Sequence, residues 1–239
     1  MDVERSPVPW GIGDILGAIA AAIALVILIV GGAFAVLALL RPVIDVAPFA
    51  RPVSIGAITA AQLGLLGIAL AFAARRGGLA ALGFRRFPPD ALLAAAGLLL
   101  AGLIIQLAYG LALQALGLGQ ENPQRIDVLV GATPLSLAIA LLSGAVITPI
   151  AEETFFRGFI LPGLVGRLGT AGAVTVSSAL FAVAHLVPQV MLPTFLLGIL
   201  LALLRLWSGS LWPPILLHAS FNALALLAVY TATRALAAL

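Results

Sequence analysis

Residues 15–40 read ILGAIAAAIALVILIVGGAFAVLALL, without a single charge. An α-helix crosses about 30 Å of hydrocarbon with roughly 20 apolar residues, so this run is long enough to span a bilayer. It exceeds the ~7–15 residues of a secretory signal core and reads as an uncleaved first span. The pattern then repeats: residues 52–74, 91–120, 128–151, 168–204 and 206–233 are also free of charge. Hydrophobic residues make up 63% of the 239-residue chain and charged residues 9%. A soluble chain carries about 25% charged residues, so a water-soluble domain is excluded. The mean hydropathy of +1.22 agrees.

All 12 basic residues are Arg, against 9 acids, for a net charge of +3. They are dispersed between apolar runs and form no stripe or tail, so they read as membrane orientation and give no nucleic-acid footprint. The densest basic loop holds Arg75, Arg76, Arg85 and Arg86, which places it, and with it the N-terminus, in the cytoplasm. With seven spans Arg167 and Arg205 fall on the same side. Cys is absent, which removes disulfides, thiolate metal sites and Cys nucleophiles together.

Two runs are too long for one crossing. At ~1.5 Å per residue, 168–204 would extend roughly 55 Å. Pro188 and Pro193 divide it into helices of about 170–186 and 190–205. The stretch 134–166 contains Thr148-Pro149, where Pro149 at a first helical position, capped by Thr148, would start a new helix. The expected fold is an all-α, polytopic membrane helix bundle of seven or eight transmembrane helices. Residues 1–120 supply N-terminal spans and 121–239 the core that carries the polar residues. No internal repeat or soluble domain is visible.

Ionisable groups inside a membrane are costly and point to function. Glu152, Glu153 and Arg157 interrupt an apolar stretch. Glu153 and Arg157 stand at i,i+4 on one helix face and can pair. Glu152 is rotated about 100° away and, lacking that partner, suits a general base. The competing reading is a helix end whose charges snorkel to water. The two histidines also lie in apolar runs. His185 follows Phe181 by one turn, and His218 shares a helix face with Asn222. Such a pair can hold an oxyanion, or serve as interhelical glue.

The segments can meet. Gly166-Arg167-Leu168-Gly169-Thr170 has the residues of a turn. If it closes a helical hairpin, Glu152 and His185 each lie ~16 residues, roughly 25 Å, from the apex on opposite arms. His218 fits less well, only ~9 Å along its helix from Trp212-Pro213-Pro214. It would need short or tilted helices, or a deep 207–214 loop, to reach the same level.

These segments resemble the CPBP family: type II CAAX prenyl proteases and their relatives in bacteriocin processing and self-immunity. That family's signature is EExxxR, then FxxxH, then HxxxN, on separate transmembrane helices. Glu152, Glu153 and Arg157 match the first motif, Phe181 and His185 the second, and His218 and Asn222 the third. The resemblance covers roughly 134–228. It implies an intramembrane endopeptidase acting on a membrane-embedded or lipid-modified peptide. Glu152 would activate water with help from His185, and His218 and Asn222 would stabilise the oxyanion. Glu153 and Arg157 would fix the site. Metal dependence stays open: Glu152, His185 and His218 could supply three ligands to a divalent ion such as zinc and leave a fourth place for water. The same residues could instead act by acid–base chemistry alone.

Other intramembrane proteases lack support. Ser208-Gly209-Ser210 is not the context of a serine dyad, the aspartates Asp2, Asp14, Asp45, Asp90 and Asp127 lie at or outside span edges, and there is no HExxH. The non-enzyme alternatives are a proton-coupled carrier with Glu152, Glu153 and His185 as relay, or a silent scaffold.

Overall fold

The computed structural model describes residues 8–118 and 130–236. Among them six helices are long and apolar enough to cross a membrane. They are α1 (Ile12–Leu40), α2 (Ala47–Arg75), α3 (Asp90–Ala115), α4 (Pro134–Val183), α5 (Pro188–Ser208) and α6 (Trp212–Leu236). No strand occurs in the described residues. The expected boundary at 120/121, with Asp2 and Asp127, lies outside them.

The surface is inverted relative to a soluble protein. Leu93 is 77% exposed, whereas Glu153 and Arg157 are 0% exposed. Contiguous exposed Leu, Ile and Phe need an apolar partner, and helices that satisfy their own backbone groups are what hydrocarbon admits.

Six helices stand in place of seven or eight because α4 continues through Thr148-Pro149 and holds both arms of the expected hairpin in one element. Thr133 caps its start, accepting the Ser136 N–H at 3.1 Å, with Pro134 at the first position. Thr148-Pro149 does not begin a new helix. The chain instead winds with i→i+5 bonds over Leu142–Ile147 and again over Thr154–Ile160. Such windings absorb a residue that breaks the ordinary ladder. The bend comes at Gly169, whose φ of 66° and ψ of 176° are not helical. Beyond it the chain doubles back. The Ser177 hydroxyl donates to the Phe156 carbonyl at 3.2 Å, and the Phe156 and Phe181 rings lie 5.3 Å apart. The hairpin expected at 166–170 is therefore present, closed by a left-handed glycine. The return arm ends at Val183, short of the expected 186. Leu186 (φ 56°) and the extended Val187 then turn the chain, and α5 starts at Pro188, two residues before the expected 190.

One end of the bundle gathers Arg76, Arg85 and Arg205. Arg76 donates to Asp14 at 3.0 Å, Arg85 to the Gly209 carbonyl at 2.6 Å and Arg205 to the Leu82 carbonyl at 3.3 Å. The start of α1 and the loops after α2 and α5 thus share one end. Trp10 closes it, stacked 5.0 Å from Phe159 and donating to its carbonyl at 2.9 Å.

The turn between α5 and α6 is deep. The Leu211 N–H donates to the Gly83 carbonyl at 2.9 Å, and a Cβ on Gly158 would meet Leu211 at 3.1 Å. Gly158 lies ~11 residues, roughly 16 Å, above the Gly169 bend. α6 therefore begins well up the hairpin, which lifts His218 to the level of Glu153 and removes the misfit in depth.

Candidate active site

Four of the expected site residues, from three segments, line one cavity of about 220 Å³: Glu152 from α4, His185 after the return arm, and His218 and Asn222 from α6, with the hydroxyl residues Ser143 and Thr148 of α4 beside them. Its remaining walls are mostly apolar, including Ile55 and Ile58 of α2 and Leu226 of α6. The sequence-predicted residues that do not line the cavity, Glu153 and Arg157, lie behind it and are fully buried.

Glu153 is the hub. Its Oε1 accepts from Arg157 Nη1 at 3.0 Å and from His218 Nδ1 at 3.0 Å. A carboxylate oxygen only accepts, so His218 carries a proton on Nδ1 and turns Nε2 forward. Arg157 also donates to the Gly198 carbonyl at 3.1 Å, which ties α4 to α5. Its guanidinium sits 4.3 Å from the Phe181 ring centroid, a cation–π contact. Phe181 also packs edge-on against His185 at 5.0 Å and His218 at 5.7 Å. One buried aromatic thus braces a cation and both imidazoles, a physical reason for phenylalanine at this place in the second motif.

Glu152 points the other way. Its Oε1 accepts from Gln62 Nε2 of α2 at 2.7 Å. Its Oε2 has no hydrogen-bond partner and faces His218 Nε2 across 3.9 Å. That separation is too long for a hydrogen bond and suits one water touching both atoms. His185 Nδ1 is 2.9 Å from the Phe181 carbonyl. A carbonyl only accepts, so Nδ1 donates and Nε2 is left as the ring's reactive nitrogen.

Asn222 is held by a carbonyl. In the i→i+5 winding the Thr148 N–H donates to the Ser143 carbonyl. The corresponding donor for Gly144 would be Pro149, which has no N–H. The Gly144 carbonyl is thereby freed, and Asn222 Nδ2 donates to it at 2.8 Å. One amide hydrogen of Asn222 is therefore engaged, and its second remains.

Among the described residues no three His, Asp or Glu side chains are grouped to hold a metal ion. Glu152, His185 and His218 share the cavity, but they are not gathered as a three-ligand set, so the metalloprotease expectation gains no support and no step is routed through a metal.

Sequence reasoning missed Gln62 and the bond from Glu153 to His218. An amide in the charge-free run 52–74 was the available signal for Gln62. The second lay beyond spacing rules, because Glu153 and His218 are 65 positions apart.

No curated protein and no solved structure matches the chain. Residues 134–224, from the start of α4 to just past Asn222, match the family described as type II CAAX prenyl endopeptidase Rce1-like.

Proposed function

We propose that the protein is an intramembrane endopeptidase that hydrolyses a peptide bond of a membrane-associated or lipid-modified substrate. The observation that carries this reading is the unpartnered Glu152 Oε2 facing His218 Nε2 at 3.9 Å beside the cavity. Glu152 takes a proton from water held in that gap and against His185 Nε2. The hydroxide attacks the scissile carbonyl carbon. In this reading His218 carries a proton on Nε2 as well as on Nδ1, and that Nε2–H and the second amide hydrogen of Asn222 donate to the oxyanion, where one donor is typically worth about 100–1,000-fold in rate. The C–N bond breaks, and the proton on Glu152 passes to the leaving amine. Glu153, fixed by Arg157, orients His218, as a buried carboxylate does in other histidine-based sites.

Residues 121–239 form the catalytic core in this reading, and 1–120 supply flanking spans. Counting the return arm 170–183 as a pass gives seven, with the N-terminus and the arginine-rich end in the cytoplasm. The test is cleavage of a panel of quenched peptides, farnesylated and unmodified, by purified protein in proteoliposomes. His185→Ala and His218→Ala are expected to abolish cleavage while the protein inserts and elutes normally. Proton-driven uptake by the wild-type protein without cleavage of any peptide would favour a carrier.

A further inference from the structure

The Glu152 carboxylate is served from outside the segment that carries the three motifs. Gln62 lies in the middle of α2, and its Nε2 donates to Glu152 Oε1 at 2.7 Å, short for an N–H···O bond and in the range of charge-assisted ones. Three residues earlier on the same helix face, Thr59 meets the Ser143 hydroxyl at 2.7 Å. α2 therefore grips α4 at two polar points, one beside the winding that Pro149 imposes and one at the carboxylate. With Oε1 occupied, Oε2 is the oxygen left to face His218. Gln62 Oε1 is itself buried and without a partner. Turning the amide would set that oxygen against a carboxylate, so the bond holds in one sense while Glu152 is ionised.

We infer that Gln62 is a positioning residue: its amide fixes the Glu152 carboxylate so that one chosen oxygen addresses the reacting water. The inference rests on the reading of Glu152 as the base. It brings one side chain of α2, from outside the motif-bearing segment, into the site.

The experiment compares the full-length protein with Gln62→Leu, Thr59→Val and Glu152→Gln in proteoliposomes, using a quenched farnesylated peptide. Hydrogen bonds to charged groups are worth enough that Gln62→Leu should lower kcat about 10–100-fold, with KM within about twofold of wild type. Thr59→Val, which removes the other α2 grip, should leave kcat within about twofold and so controls for loosened packing. Infrared spectra give a readout independent of turnover. The carboxylate band absent from Glu152→Gln should shift in Gln62→Leu and hold its place in Thr59→Val. Wild-type kcat in Gln62→Leu, or an unmoved band, overturns the inference. Full turnover in Glu152→Gln instead overturns the reading of Glu152 as the base, whatever the band does.

Discussion

The bond from Asn222 to the Gly144 carbonyl replaces a helix bond that Pro149 cannot make, and this can be tested by restoring that bond. In Asn222→Ala the Gly144 carbonyl loses its donor at 2.8 Å. Leaving a buried acceptor unpaired costs about 1–3 kcal/mol. The Gly144 backbone borders the cavity, where water can reach it, so the lower end, about 1 kcal/mol, is expected. Pro149→Ala returns an N–H to the position five residues after Gly144, where the i→i+5 winding requires a donor. In that background Asn222→Ala should cost little stability. The two substitutions should therefore couple by about 1 kcal/mol through the Gly144 carbonyl they share. The assay is a double-mutant cycle by reversible unfolding in mixed micelles, with peptide cleavage measured on the same four proteins. Equal losses of stability on removing Asn222 in both backgrounds would refute the reasoning. The part of the kcat loss that Pro149→Ala does not recover belongs to Asn222 as an oxyanion donor.

Three further outcomes follow from the geometry. Arg157→Met leaves the buried Glu153 with His218 as its remaining partner, which should destabilise the protein by about 3 kcal/mol, the lower end for breaking a buried pair, read by the same unfolding assay. Gly198→Ala would place a Cβ 3.0 Å from the Ser178 Cβ and 3.3 Å from Arg157 Nη2. It should prise α5 from the return arm and lower both the melting temperature and kcat. Treating the purified protein with a zinc chelator should leave peptide cleavage unchanged, because the proposed acid–base route would use the side chains of Glu152, His185 and His218 directly. Loss of cleavage with recovery on adding back zinc would contradict that route.

The hairpin and the grouping of the motif residues were legible because charge inside hydrocarbon is costly and leaves conspicuous marks. Glu152, Glu153 and Arg157 could be picked out of an apolar run, and equal distances from Gly169 brought Glu152 opposite His185. The fate of Pro149 was not legible. A proline removes the same N–H whether it opens a helix or sits in a widened turn, so residue type alone cannot separate the two. Gln62 was hidden because an uncharged amide costs less in an apolar helix and stands out less than a carboxylate. The depth of His218 depended on Leu211 reaching the Gly83 carbonyl, a contact between loops more than a hundred residues apart. Local pattern carries no trace of such a contact. The role of Phe181 was in view as a motif letter, but its placement against Arg157 and both imidazoles needed the assembled bundle.

The most direct measurement is the single-turnover cleavage rate of Glu152→Gln in proteoliposomes, with circular dichroism and elution matched to wild type. Glutamine keeps the shape of the side chain and a contact to Gln62, but it cannot take a proton from water. General bases contribute about 100–10,000-fold, so cleavage should fall by at least about two orders of magnitude. A Glu152→Gln enzyme that cleaves at the wild-type rate would contradict the account.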